Sequence, residues 1–182
     1  MRQIASRSQL RMSLLRLALV FMPMILLLGF LSGYISGSGA ENGWYAALEK
    51  PAANPPGWVF PLAWTIFYAM MGFALAIVVH ARGAAWRGLA IAAFVLQLVL
   101  NLAWSPMFFG LHEVTAAFWL LVLILAAALL TTLLFGQVRA SAAWLMVPYL
   151  AWLCFAAALN RDIDLLNPDA ETLAPGTVST QI

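Results

Sequence analysis

Long uncharged apolar stretches recur along this chain, and no other feature constrains its fold as much. A stretch of about 18 or more apolar residues is long enough to cross a bilayer, and lipid offers backbone groups no hydrogen-bond partner except the helix itself. The residues are 64% hydrophobic and 9% charged, where a soluble domain carries roughly a quarter charged residues to face water. The expected fold class is therefore an all-α membrane protein, a bundle of five transmembrane helices. Membrane lipid is an expected partner. Nucleic acid is not, because the formal net charge is only +2. The single cysteine, Cys154, lies in an apolar run and leaves no disulfide framework or cysteine-rich metal site.

The spans read as 14–35, 58–80, 86–109, 114–135 and 142–160, each long enough at about 1.5 Å per residue for a hydrocarbon core of about 30 Å. The connections are short except for residues 36–57, where Gly37, Gly39, Asn42, Gly43, Pro51, Pro55, Pro56 and Gly57 mark a turn-rich loop. Residues 1–13 form a basic N-terminal tail, 14–167 the transmembrane domain, and 168–182 an expected disordered C-terminal tail. Arg2, Arg7, Arg11 and Arg16 before the first apolar run resemble a secretory signal, with small residues for cleavage at 36–40. At about 20 residues that run is long for a signal, and cleavage would cost the bundle a member, so it is expected to stay.

With five spans the charges separate cleanly. The N-terminus and the second and fourth connections share one side and hold Arg2, Arg7, Arg11, Arg16, Arg82, Arg87 and Arg139 without an acid. Every acid lies on the other side, with Lys50 and Arg161. Basic residues stay in the cytoplasm. The expectation is a bacterial cytoplasmic membrane, N-terminus inside and C-terminus outside.

Eight tryptophans are many for this length. Trp58, Trp86 and Trp144 fall at span ends, as in an interfacial belt, and Trp119, early in the fourth span, could face lipid. Trp64, Trp104 and Trp152 lie about 9, 8 and 12 Å inward from the side carrying the long loop. Helical spacing groups Trp64, Phe67, Tyr68 and Met71 on one face; Gln97, Asn101, Trp104 and Phe108 on another; and Tyr149, Trp152 and Ala156 on a third. Gln97 and Asn101 are the strongest polar groups inside any span. They could line a cavity, or simply join helices at roughly 0.6 kcal/mol per hydrogen bond. Gly72 with Ala76, or Gly88 with Ala92, could let helices approach closely, inside the bundle or in a homodimer.

Trp44-Tyr45-x-x-Leu48-x-Lys50-Pro51, then Asn54-Pro55-Pro56-x-x-x-Phe60-x-x-x-Trp64-Thr65-x-x-Tyr68, closely resembles the tryptophan-rich sensory protein family. This is the TspO/MBR family, which includes the translocator protein, or peripheral-type benzodiazepine receptor. Gln97-Leu98-x-x-Asn101-x-x-Trp104-Ser105-x-x-Phe108-Phe109, Pro148-Tyr149-x-x-Trp152 and Leu159-Asn160 continue the match in family order. The resemblance implies a five-helix bundle, often dimeric, with a pocket capped by the first loop. It implies binding of tetrapyrroles such as protoporphyrin IX and haem, as ligands rather than resident cofactors, and in some members sterols or benzodiazepine-type molecules. Trp64 and Trp152 match the family's pocket tryptophans and Asn101 a polar pocket residue; Tyr68, Gln97, Trp104, Phe108 and Tyr149 are expected neighbours. Trp44, Lys50, Pro55 and Pro56 belong to the capping loop, with Lys50 a candidate partner for a propionate.

The chain departs from the family pattern at Ala52 and Ala53, where aromatic residues are common, and at Arg161-Asp162-Ile163-Asp164, which offers no Tyr for a sterol motif. The expected function is a membrane receptor or sensor for tetrapyrroles. A porphyrin-degrading enzyme and a tetrapyrrole transporter are the alternatives. His80 and His112 lie near opposite faces and the acids lie outside the spans, so no conventional catalytic set is visible. Transporters commonly show internal repeats, and none is evident.

Overall fold

A computed structural model describes residues 6–173. It contains α1 (Arg7–Ile35), a short α2 (Gly43–Ala47), α3 (Val59–His80), α4 (Arg87–Ser105), α5 (Val114–Val138) and α6 (Ala140–Leu166). Five helices are long and apolar enough to cross a bilayer, and the chain is an integral, multi-pass membrane protein. Helix α1 packs on α3, α3 on α6, α6 on α5 and α5 on α4, while α4 closes the ring against α1 and α3. Trp86, Trp119 and Trp144 are all at least half exposed on the outside of the bundle, the position of an interfacial or lipid-facing indole, whereas the exposed Trp58 lines the cavity described below.

Two helices run further than their hydropathy suggests. Helix α1 starts at Arg7, inside the expected basic tail, because Ser6 and Gln9 form a capping box. The Ser6 Oγ accepts the Gln9 amide at 3.3 Å and the Gln9 Oε1 accepts the Ser6 amide at 2.8 Å. Helix α6 runs to Leu166, taking up Arg161 and Asp164, which pair at 2.7 Å one turn apart. Residues Ala170–Thr172 then form a 3₁₀ turn with Ala170 buried. The expectation of a disordered tail from 168 thus fails for its first residues, and its remainder from 174 lies outside the described residues, as do residues 1–5.

Close approach of α1 and α3 depends on Gly72. A Cβ there would lie 2.6 Å from the Met22 Cα and 3.0 Å from the Phe21 carbonyl carbon. Gly88, by contrast, is exposed with nothing within 4 Å of the equivalent position. Of the two small-residue pairs in the sequence, the one at Gly72 serves internal packing and the one at Gly88 faces outward.

Pro106 ends α4 and opens a wide π-turn, Pro106–Gly110. Lacking an N–H, it cannot donate to the Leu102 carbonyl one turn back. Ser32 of α1 supplies the missing donor, its hydroxyl lying 2.6 Å from that oxygen. Ser32→Ala is expected to destabilise the bundle by about 1 kcal/mol, more than an average membrane hydrogen bond, because the carbonyl has no helical partner to fall back on. Denaturant titration in detergent measures it; a loss indistinguishable from zero would mean that water reaches Leu102.

Candidate functional site

Below the long loop the bundle opens into a cavity of about 1060 Å³. Trp64 from α3, Trp104 from α4 and Trp152 from α6 all line it, together with Tyr68, Asn101 and Phe108. Each indole is seated by other aromatic rings. Trp64 stacks on Tyr68 at 5.1 Å, Trp104 on Phe108 at 5.1 Å, and Trp152 packs against Phe67 at 5.6 Å and Phe155 at 5.4 Å. The π-turn sets the Phe108 and Phe109 rings edge to face at 4.9 Å on the rim. Such turns recur at functional sites because they re-aim side chains that a regular helix would stack.

The polar residues beneath this wall bond to one another. Tyr68 Oη donates to Asn101 Oδ1 at 3.0 Å, and Asn101 Nδ2 donates to Tyr149 Oη at 2.9 Å. Tyr149 Oη then donates to Gln97 Oε1 at 3.2 Å, and Gln97 Nε2 reaches the Met71 Sδ at 3.7 Å. Asn101 and Tyr68 border the cavity, whereas Gln97 and Tyr149 are fully buried behind them and do not line it. For those two the expectation of direct ligand contact is corrected. They share the right helical faces but lie too deep, and their hydrogen-bonding groups join α3, α4 and α6.

The loop forms a lid. Tyr45, Lys50, Asn54, Pro55 and Pro56 line the cavity. The Lys50 ammonium is not free for a propionate: it donates to the Tyr45 carbonyl at 2.7 Å and the Leu48 carbonyl at 3.0 Å, and lies over the Tyr45 ring at 4.6 Å. It thus satisfies the last carbonyls of α2, where a cation is favoured. Burial pushes its pKa below the usual lysine value, an effect that these carbonyl contacts oppose by favouring the charged form. Burial likewise raises the Tyr45 phenol, against its hydrogen bond to Asn54.

Trp44 does not face the cavity. It is buried as the lid's anchor, stacked on His112 at 4.3 Å and edge-on to Phe108 at 5.5 Å, with its indole N–H donating to the Ala170 carbonyl at 2.9 Å. Asn167 adds a two-way amide clasp, accepting from the Glu49 amide at 2.7 Å and donating to the Glu49 carbonyl at 2.8 Å. Sequence reasoning left Asn167 and Asn160 without roles. Asn160 lines the cavity near the lid and donates from Nδ2 to the Val114 carbonyl at 3.0 Å. Its advance signals were a polar side chain at the very end of an apolar span and its place in the Leu159-Asn160 motif.

A membrane-embedded helical bundle enclosing a tryptophan-walled, loop-capped cavity defines the class of protein. The chain belongs to the TspO/MBR family, whose profile matches residues 21–166. It is 43% identical over 129 residues to the tryptophan-rich protein TspO of Chlorobaculum tepidum, covering 69% of this chain and 80% of that one. Protein CrtK of Rhodobacter capsulatus is 36% identical over 75% of this chain and 84% of its own length. The human translocator protein is 38% identical over 71% of this chain and 76% of its own length.

Proposed function

We propose that the chain is a membrane receptor that binds a tetrapyrrole, such as protoporphyrin IX or haem, in this cavity. The observation that carries the reading is that tryptophans from three helices border one space of about 1060 Å³. That is at the upper end of ligand pockets, about 300–1,000 Å³, and suits a macrocycle better than a small solute. The indole faces supply stacking at roughly 0.5–1.5 kcal/mol per pair beyond area burial. With the buried area, two or three such contacts support micromolar binding, about −8 kcal/mol. The basic connections at Arg82, Arg87 and Arg139 lie on the face opposite the lid, so a bacterial cytoplasmic membrane would place the lid outside.

Titrating detergent-solubilised protein with protoporphyrin IX, read by the shift of the porphyrin absorption band, tests this. Saturable binding is expected, and Trp64→Phe with Trp152→Phe should weaken it about tenfold, the loss of two stacking surfaces. Equal affinity in the double variant would remove the cavity from the explanation.

A further inference from the structure

Among the described residues only three buried side-chain polar atoms have no protein partner: Trp104 Nε1, Trp152 Nε1 and Asn160 Oδ1. All three residues line the cavity. Two are donors and one is an acceptor. Asn160 is only 2% exposed, and its orientation is fixed. Its Nδ2 is turned to the Val114 carbonyl at 3.0 Å, and a flipped amide would set two oxygens against each other. The unpaired atom is therefore the carbonyl oxygen. Burying it without a donor is costly, as is burying an indole N–H without an acceptor.

The three residues are spread along the wall. Trp152, Ala156 and Asn160 follow at i, i+4 and i+8 on one face of α6, about 12 Å along the axis, and Trp104 stands on α4. A large ligand can meet such separated points where a small one cannot. The points carry no charge, and the ammonium of Lys50 is held by lid carbonyls.

We propose that Asn160, together with the indole N–H groups of Trp104 and Trp152, reads the rim of the bound macrocycle and selects one bearing neutral hydroxyl or amide groups over one with a purely hydrocarbon rim. A hydroxyl serves either kind of partner, donating to Asn160 or accepting from an indole. A site with buried polar groups penalises a ligand that leaves them unpaired. The selection rests on the tetrapyrrole reading above and adds to it a specificity-determining residue, Asn160.

The test compares two porphyrins matched in size and charge: the dimethyl esters of haematoporphyrin, whose rim carries hydroxyethyl groups, and of mesoporphyrin, whose rim carries ethyl groups. The full-length protein in detergent should bind the haematoporphyrin ester roughly fivefold to tenfold more tightly, the effect of one or two hydrogen bonds. In Asn160→Leu that ratio should fall close to one. Equal affinities in the wild type, or a ratio that survives Asn160→Leu, overturn the proposal while leaving tetrapyrrole binding intact. Failure of both esters to bind where protoporphyrin IX does bind overturns the proposal alone, and failure of all three overturns the tetrapyrrole reading with it. Should Asn160→Leu not fold, since it also loses the tie to Val114, the wild type labelled with ¹⁵N at tryptophan decides. The indole N–H signal of Trp104 or Trp152, assigned with Phe variants, should lie further downfield with the haematoporphyrin ester than with the mesoporphyrin ester, the ring current being common to both. Identical shifts with the two esters count against it.

Discussion

Gly72→Ile is expected to destabilise the bundle by about 3 kcal/mol, at the upper end of what overpacking costs. The clash would be with backbone: a Cβ at 72 lies 2.6 Å from the Met22 Cα and 2.9 Å from the Met22 nitrogen. A flexible side chain could swing aside, but a helix axis has to translate. Helix α1 packs chiefly on α3, so displacing it at this crossing gives up most of its contact. It would also pull Ser32 from the Leu102 carbonyl and open the side of the cavity lined by Gly29 and Gly33. Thermal unfolding in detergent, followed by circular dichroism, measures the loss. Gly88→Ile, at an exposed position with open space around it, is the matched comparison. Equal stability of the two variants would mean that α1 contributes little to holding the bundle together.

That packing was only partly legible in advance. The run from Gly72 to Ala76 suggested a close approach, yet so did Gly88 with Ala92, and sequence spacing says nothing about which face meets another helix. The spans themselves were legible, because each needs only local composition and length. Their ends were not. Ser6 and Gln9 spell a capping box, but a hydropathy reading starts where the apolar run begins, near Leu14, and a helix continues past the hydrocarbon wherever its backbone bonds can be closed. Trp64, Trp104 and Trp152 were placed in one layer by counting residues, and they do border one cavity. Counting could not reveal that Gln97 and Tyr149 would bond to each other behind it. That depends on how far each helix is rotated. Nor could it show Trp44 reaching Ala170, 126 residues away, since nothing local to either residue marks the contact.

Trp44→Ala should release the lid without melting the bundle. Truncating a buried Trp typically costs about 3–5 kcal/mol, and Trp44 is 2% exposed with both a stacked ring and a hydrogen-bonded N–H. What matters is where that loss falls. Trp44 packs with Leu48, Phe108, Val114, Leu159, Ile163 and Ala170, a cluster that meets the main core around Met71, Phe94, Ile124, Phe135 and Leu153 through Trp104. Without it the lid keeps the Asn167–Glu49 clasp, two hydrogen bonds at about 1 kcal/mol each, against backbone ordering of roughly 1–2 kcal/mol per residue. The clasp loses that contest. The protected amides of Ala46 and Leu48, bonded to Asn42 and Tyr45, should therefore exchange with solvent at least about a hundredfold faster, by the same free energy. The melting temperature of the five long helices should move by only a few degrees. Asn167→Ala, which removes the clasp but keeps the anchor, should raise exchange about thirtyfold. On the proposed tetrapyrrole reading, a bound porphyrin should leave the Trp44→Ala protein faster than the wild type, because its cover is open more of the time. If Trp44→Ala instead unfolds lid and bundle in one transition, the two clusters are a single cooperative unit, and the lid cannot open while the cavity beneath it stays formed.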